Sequence, residues 1–203
     1  MSVLFDRLAA LFEQGHAVDV PDLLSDARFA DATRTADAAV LIAVTDRPAP
    51  GVILTQRPHG MRDHPGQVAF PGGKIDPGED AVEAALREAE EELSMRPADV
   101  RVIGATDRYQ TGTGFDITPV LGVVPPDLRL VPHPDEVEAW FEAPLDLLLD
   151  RESWTEHEVF WNGAMRRYLE YHYQGFRIWG VTAAIIANLS RRIEYRALFS
   201  DIP

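Results

Sequence analysis

The sequence predicts a single α/β domain built on a mixed β-sheet with helices packed against it. Three observations carry that expectation. Two short apolar runs, Ala38 to Thr45 and Gly51 to Gln56, have the length and flanking turns of paired strands. A helix of strong formers covers Asp80 to Met95 and stops before Pro97, a residue that disfavours helix just ahead of it. No internal repeat or low-complexity linker divides the 203 residues, a length that suits one domain with short terminal additions.

The elements follow in order. Leu4, Phe5, Leu8, Leu11 and Phe12 recur at helical spacing, so Met1 to Gln14 reads as an amphipathic helix. Val18 to Thr35 reads as a surface segment with a helical turn near Leu23 to Ala27. Residues 1–35 thus form an N-terminal helical extension packed on a domain of residues 36–203. Asp46 to Pro50 turns the first strand into the second as a hairpin. Arg57 to Gly78, dense in Gly, Pro and His, reads as loop with a short strand at Gln67 to Phe70. Strands are expected at Val100 to Ala105, Asp116 to Val124 and Glu136 to Phe141, and a short helix at Pro144 to Asp150. Val159 to Trp161 and Met165 to Tyr171 flank Asn162-Gly163, a hairpin signal. Trp179 to Arg192 reads as a last amphipathic helix.

Composition bounds the function. With no Cys, disulfides, thiolate metal sites and cysteine nucleophiles are excluded. A net charge of −14 argues against a nucleic-acid surface, which needs a basic stripe. No run reaches the length of a membrane span and no basic, unbroken apolar leader is present, so a cytoplasmic protein without membrane association is expected. Neither a serine-hydrolase elbow nor a P-loop occurs, and Gly112-Thr113-Gly114 alone is too short for a dinucleotide fingerprint.

The acids are not evenly spread. Seven of the 33 fall between Glu79 and Glu92. On a helix, Val82, Leu86, Ala89 and Leu93 form one stripe suited to the core, while Glu88, Glu91 and Glu92 share another face. Glu88 and Glu92 are like charges one turn apart, which costs about 0.2–0.5 kcal/mol when nothing neutralises them. An acidic helix face is most often simply solvated. Here it follows Phe70-Pro71-Gly72-Gly73-Lys74, whose glycines permit close approach of a ligand to backbone. Three carboxylates are hard oxygen ligands of the kind Mg²⁺ or Mn²⁺ takes beside a phosphate.

Gly73, Glu79, Arg87-Glu88-Ala89, Glu91-Glu92 and Met95 stand at the spacings of the Nudix box, which this segment resembles; the departure is Ser94, where that family usually has Gly. The resemblance implies an α/β/α sandwich and metal-dependent hydrolysis of a nucleoside diphosphate linked to another moiety. It also implies that Glu88 and Glu92 are the metal ligands, with Glu91 completing the cluster as a candidate to activate water. Arg87 would orient the carboxylates, and Glu79 would steady the loop or join the outer metal shell. Ser94 is expected to weaken local geometry without loss of chemistry.

Ahead of the box, Leu54-Thr55-Gln56-Arg57, Arg62, Gly66 and Phe70-Pro71-Gly72-Gly73 are similar to a second signature, that of coenzyme A pyrophosphatases within the Nudix family. Ile53 and Pro58 depart from it, and Pro58 stands in the loop that presents His59 to Arg62. The similarity extends to Thr111-Gly112-Thr113-Gly114-Phe115 and to Ile178 to Ala183. It implies coenzyme A or an acyl-CoA as substrate, held by Arg57, Arg62, Gly72, Gly73 and Lys74, and products 3′,5′-ADP and 4′-phosphopantetheine or its acyl form. A homodimer is a further expectation from the family. Two alternatives stay open: another diphosphate substrate (ADP-ribose, a dinucleotide or a nucleoside triphosphate), and a catalytically silent binding module.

Further candidates are His59 and His64, which face either phosphate or solvent, and Asp135, Glu136 and Glu138, which form either an extra ligand or base or a solvated strand entry. The aromatic stretch from Phe160 to Trp179 either lines a nucleotide pocket or packs as core.

Overall fold

A computed structural model describes residues 2–27, 36–62, 64–161 and 164–199. Its centre is β1 (Ala36–Thr45), which pairs in parallel with β7 (Phe115–Val124) along its whole length and antiparallel with β2 (Gly51–Gln56) at Val44↔Val52. The sheet is therefore mixed. β2 carries β3 (Val68–Ala69) and β8 (Ala139–Pro144), and β7 carries β5 (Arg101–Ala105) and β6 (Tyr109–Gln110). β4 (Gly72–Lys74) pairs with the other half of β1, at Ala38↔Lys74, Ala39↔Gly73 and Val40↔Gly72.

The two faces of the sheet carry separate cores. Alternation along β1 sends Ala39, Leu41 and Ala43 to one side, where they meet Ala84, Ala85, Ala89 and Leu93 of α2 (Ala81–Leu93). Ile42 and Val44 go to the other side. There they meet α1 (Val3–His16), α3 (Leu145–Leu149), α4 (Gly180–Arg192) and α5 (Tyr195–Phe199). Among the described residues, one helix on one face and four on the other make an α/β/α sandwich. A smaller antiparallel sheet, β9 (Thr155–Trp161), β10 (Ala164–Tyr173) and β11 (Phe176–Trp179), leans on the second face, with Phe176 stacked on Phe141 at 3.9 Å. Among the described residues no helix is long and apolar enough to cross a membrane.

Several expectations need correction. Leu23 to Asp26 is not helical, and only Ala27 is assigned to a 3-10 turn. The Leu24 N–H and C=O are both taken by the Asn188 side chain of α4, at 2.7 and 3.0 Å, and the Asp26 N–H by Gln110 of β6. Those bonds replace helical ones and hold the segment as a strap. Glu136 and Val137 close a turn onto the His133 carbonyl, and the Glu138 N–H donates to Gln56 of β2, so the strand starts only at Ala139. The predicted core stripe of α2 is also rotated: Val82 and Leu86 are half-buried, whereas Ala84, Ala85 and Glu92 are buried. The Asn162-Gly163 turn lies outside the described residues, but β9 and β10 pair antiparallel from Trp161↔Ala164 onward.

Candidate functional site

The site is organised by α2 and the loop that enters it. Asp80 caps the helix, accepting from the N–H groups of Val82 and Glu83, while the Glu83 carboxylate accepts from the Asp80 N–H. At the other end Ser94 takes a left-handed conformation, φ +56°. That position favours Gly, so Ser carries local strain here. Between these ends, small Ala side chains on the buried face let the helix lie close to β1 and β4.

Arg87 is the hub. Its Nε and one Nη donate to the two oxygens of Glu79 at 2.7 and 3.1 Å, a bidentate pair. The other Nη donates to Glu88 at 2.9 Å and to Glu91 at 3.1 Å, and Nη2 also reaches the Lys74 carbonyl at 3.0 Å. One guanidinium therefore ties the entry loop, the β4 backbone and two acids of the helix together. Its hydrogen bonds hold Glu79 below the usual carboxylate range and raise the pKa of Arg87 itself.

Glu88 and Glu92 lie deeper. Burial raises Glu88 despite Arg87 beside it, and Glu91 and Glu136 add to the rise. Glu92 is 6% exposed. Burial pushes its pKa up to about 8, opposed by the Gly72 N–H, which lies 3.5 Å from Oε1, and by the positive charge of Arg57. Its Oε2 is buried without a hydrogen-bond partner. The glycines matter here. A Cβ at Gly73 would stand 2.4 Å from Glu88 Oε1, and one at Gly72 would stand 2.4 Å from the Ala39 carbonyl oxygen.

The carboxylates do not converge as placed: among the described residues no three His, Asp or Glu side chains are arranged to hold a metal ion. The Arg87 Nη1 lies between Glu88 and Glu91 and donates to one oxygen of each. The donor chemistry does fit a divalent cation. A buried carboxylate oxygen lacks a partner, and a second desolvated carboxylate lies one turn away. A cation there would supply the missing partner.

The predicted substrate contacts divide. Arg57 lies close enough to Glu92 to lower its pKa, and its Nε is buried without a partner. The Arg62 and Lys74 side chains are exposed, and only the Lys74 carbonyl enters the Arg87 network. His59 is held by Glu138, with backbone N–H and ring Nδ1 at 2.9 and 3.0 Å. His64 is exposed at φ +54°. Glu136, one of the acids offered by the sequence as an extra ligand or base, is felt by both Glu88 and Glu92 from outside the helix. The hydroxyl of Thr111 accepts from the Phe115 N–H, so the Thr-Gly-Thr-Gly run closes a turn. The aromatic stretch splits by strand face: Tyr171, Tyr173 and Phe176 pack on the core, while Tyr168 and Trp179 contact each other edge to face.

A family model described as the NUDIX domain matches residues 34–162. The chain is 44% identical over 157 residues to the protein named "Uncharacterized Nudix hydrolase NudL" of Escherichia coli (strain K12), covering 77% of this chain and 82% of that one. The protein of the same name from Escherichia fergusonii gives the same identity and coverage. Among solved structures, a Nudix hydrolase from M. smegmatis, RenU, superposes with a TM-score of 0.53 at 23% identity, over 83% of this chain and 88% of that one. That likeness supports the fold.

Proposed function

This chain belongs to the Nudix family, and we propose that it is a metal-dependent coenzyme A pyrophosphatase. It would cleave the diphosphate of coenzyme A or an acyl-CoA into 3′,5′-ADP and 4′-phosphopantetheine or its acyl form. The observation that carries the reading is Arg57. It stands in the segment that resembles the coenzyme A signature, lies within electrostatic reach of the buried Glu92, and has a buried Nε with no partner. An unpartnered guanidinium donor next to a carboxylate cluster suits a phosphoryl oxygen brought close to a metal site.

The other residues take roles consistent with their placement. Glu88 and Glu92 are the proposed ligands of Mg²⁺ or Mn²⁺, with Glu91 reaching the same face and Glu79 outside it. When bound, such an ion would neutralise phosphate charge and lower the pKa of the attacking water. Arg87 orients Glu88 and Glu91 through shared hydrogen bonds. Gly73 leaves the space beside Glu88 open, and Gly72 lets the loop lie close against β1. Arg62 and Lys74, exposed at the rim, supply charge to the outer phosphate groups. These donors balance the negative charge that develops on the phosphoryl oxygens.

The test is chromatographic identification of products from coenzyme A, ADP-ribose, a dinucleotide and a nucleoside triphosphate, with and without Mn²⁺. Release of 3′,5′-ADP from coenzyme A with the highest kcat/KM of the set is expected. Preference for another diphosphate overturns the substrate assignment, and inactivity toward all of them with either metal overturns the assignment as an enzyme.

A further inference from the structure

Trp140 of β8 is 38% exposed and differs from the other tryptophans whose side chains are described. Trp154 donates its indole N–H to the Leu148 carbonyl and lies tilted against Tyr171. Trp179 meets Tyr168 edge to face, with the Arg177 guanidinium over its ring. Among the described residues Trp140 has no ring partner, and its indole N–H has no hydrogen-bond acceptor. A single exposed apolar side chain is ordinary on a protein surface. What sets this one apart is its place in the sheet.

Alternation along β2 sends Val52 and Leu54 to the face of the four helices, and Ile53 to the α2 face, where it packs with Ala89 and Leu93. Thr55 and Arg57 follow Ile53 on that face. Arg57 continues the pairing just past the end of β2, its N–H donating to the Gln67 carbonyl. Across the other edge of β2, Trp140 lies directly opposite Thr55. The indole is therefore on the α2 face as well, one diagonal from Arg57, a separation of about 7–8 Å. α2 itself lies over β1, β4 and β7 rather than over β8, an edge strand that pairs with β2 alone among the described residues.

The chain ahead of Trp140 is tied to the carboxylate site. His133 donates its N–H to the Glu92 carbonyl, and Glu136 is felt by Glu88 and Glu92. Glu138 accepts from the backbone N–H and ring Nδ1 of His59 at 2.9 and 3.0 Å, and its own N–H donates to the Gln56 carbonyl. These bonds fix the entry to β8, and with it the indole, beside the loop that carries Arg57 and Arg62. A flat ring with a free face, one diagonal from an unpartnered guanidinium Nε, suits a ligand that joins a π-system to a phosphate. A ribose between base and phosphate bridges such a span.

We propose that Trp140 is the base-stacking residue of the site, taking the nucleobase of the substrate on its free ring face while Arg57 meets a phosphoryl oxygen one diagonal away. Resting on the coenzyme A reading, that base is adenine.

The test uses the full chain and two probes, adenosine 3′,5′-bisphosphate and 4′-phosphopantetheine, which has no base. Each is titrated calorimetrically with tryptophan emission recorded alongside, and coenzyme A hydrolysis is followed in parallel. The wild type should bind the bisphosphate with quenched indole emission. Trp140→Ala should bind it at least about fivefold more weakly, the low end of what one stacked base loses with its aromatic partner. KM for coenzyme A should rise in step while kcat stays within about threefold, and 4′-phosphopantetheine binding should not change. Trp140→Phe keeps a ring, so it should hold the bisphosphate within about threefold of wild type yet lose most of the quench, a pattern that a packing role for the indole does not give. Unchanged bisphosphate binding and KM in Trp140→Ala overturn the stacking role, and cleavage of coenzyme A then leaves the substrate reading standing. A wild type that does not bind the bisphosphate, or an equal weakening of 4′-phosphopantetheine, overturns it too. If coenzyme A is not cleaved but bisphosphate binding falls in Trp140→Ala, the substrate reading is overturned and the stacking role stands.

Discussion

Glu92→Gln separates what the site costs from what it does. The carboxyl of Glu92 has a pKa of about 8 in the folded protein against a usual 4.5, chiefly through burial. The sign follows from proton counts. Between pH 4.5 and 8 the folded chain holds a proton that the unfolded chain has lost, so stability falls as pH rises through that window. Three and a half units at 1.36 kcal/mol each give roughly 4–5 kcal/mol of destabilisation once pH exceeds 8. Gln removes the titration. It keeps an acceptor for the Gly72 N–H but buries an amide N–H₂ with no assigned partner, a pH-independent cost of about 1–3 kcal/mol. The informative quantity is therefore the difference in slope. Urea unfolding of the metal-free protein in EDTA, at steps from pH 5 to 8.5, should show the wild type losing about 4 kcal/mol relative to Glu92→Gln across the range. Adding Mn²⁺ at pH 8 should restore stability to the wild type alone, while the variant has lost almost all turnover. Parallel pH profiles for the two proteins would refute the account of Glu92 as a buried, desolvated carboxylate.

Other substitutions probe the frame around it. Gly73→Ala places a Cβ against Glu88 and should lower kcat by about a hundredfold, as expected for a misplaced catalytic group, with the fold retained by circular dichroism. Ser94→Gly relieves the left-handed conformation at the end of α2 and should raise the unfolding free energy by about 0.5–1 kcal/mol, read from the urea midpoint at unchanged m-value. Arg192 donates two hydrogen bonds to Asp107 and holds its carboxyl below the usual 3.8, so that stability is present above pH 4 and is lost as pH falls below it. Asp107→Asn should destabilise by about 1–3 kcal/mol at pH 7, and the gap to wild type should narrow as pH falls below the usual 3.8.

Much of this was legible because the signals are local. Alternation and turn residues placed β1, β2, β5 and β7 within a residue or two, and helix formers with a Pro beyond placed α2. What misled lay in long-range pairing. Leu24 has helical neighbours in sequence, but Asn188, 164 positions away, takes both its backbone groups. β4 and β6 are too short to show a period and exist because β1 and β7 offer them edges. Helix geometry puts Arg87 within reach of Glu88 and Glu91, as the box spacing implied, while Glu79 joins them from the loop ahead of α2. The spacing did not reveal that Glu92 is buried while Glu91 is exposed, because the tilt of a helix on its sheet is set by packing. Alanines at 84, 85 and 89 allowed that tilt.

That tilt also explains how a chain with a net charge of −14 can work on a polyanion. Had Val82 and Leu86 faced the core squarely, all three box carboxylates would be solvated and water would screen them. With the helix turned onto its small residues, Glu92 is buried and Glu88 half-buried, where repulsion is least screened and a divalent ion is most favoured. Arg87 keeps the outer acids from adding to that repulsion, spending one guanidinium on three carboxylates. Arg57 keeps an unpartnered buried donor. The same burial that makes the metal-free protein lose stability as pH rises above 5 would favour a cation beside the two acids. Net charge is therefore a poor guide to this ligand, and the degree of burial of two acids one turn apart is a good one.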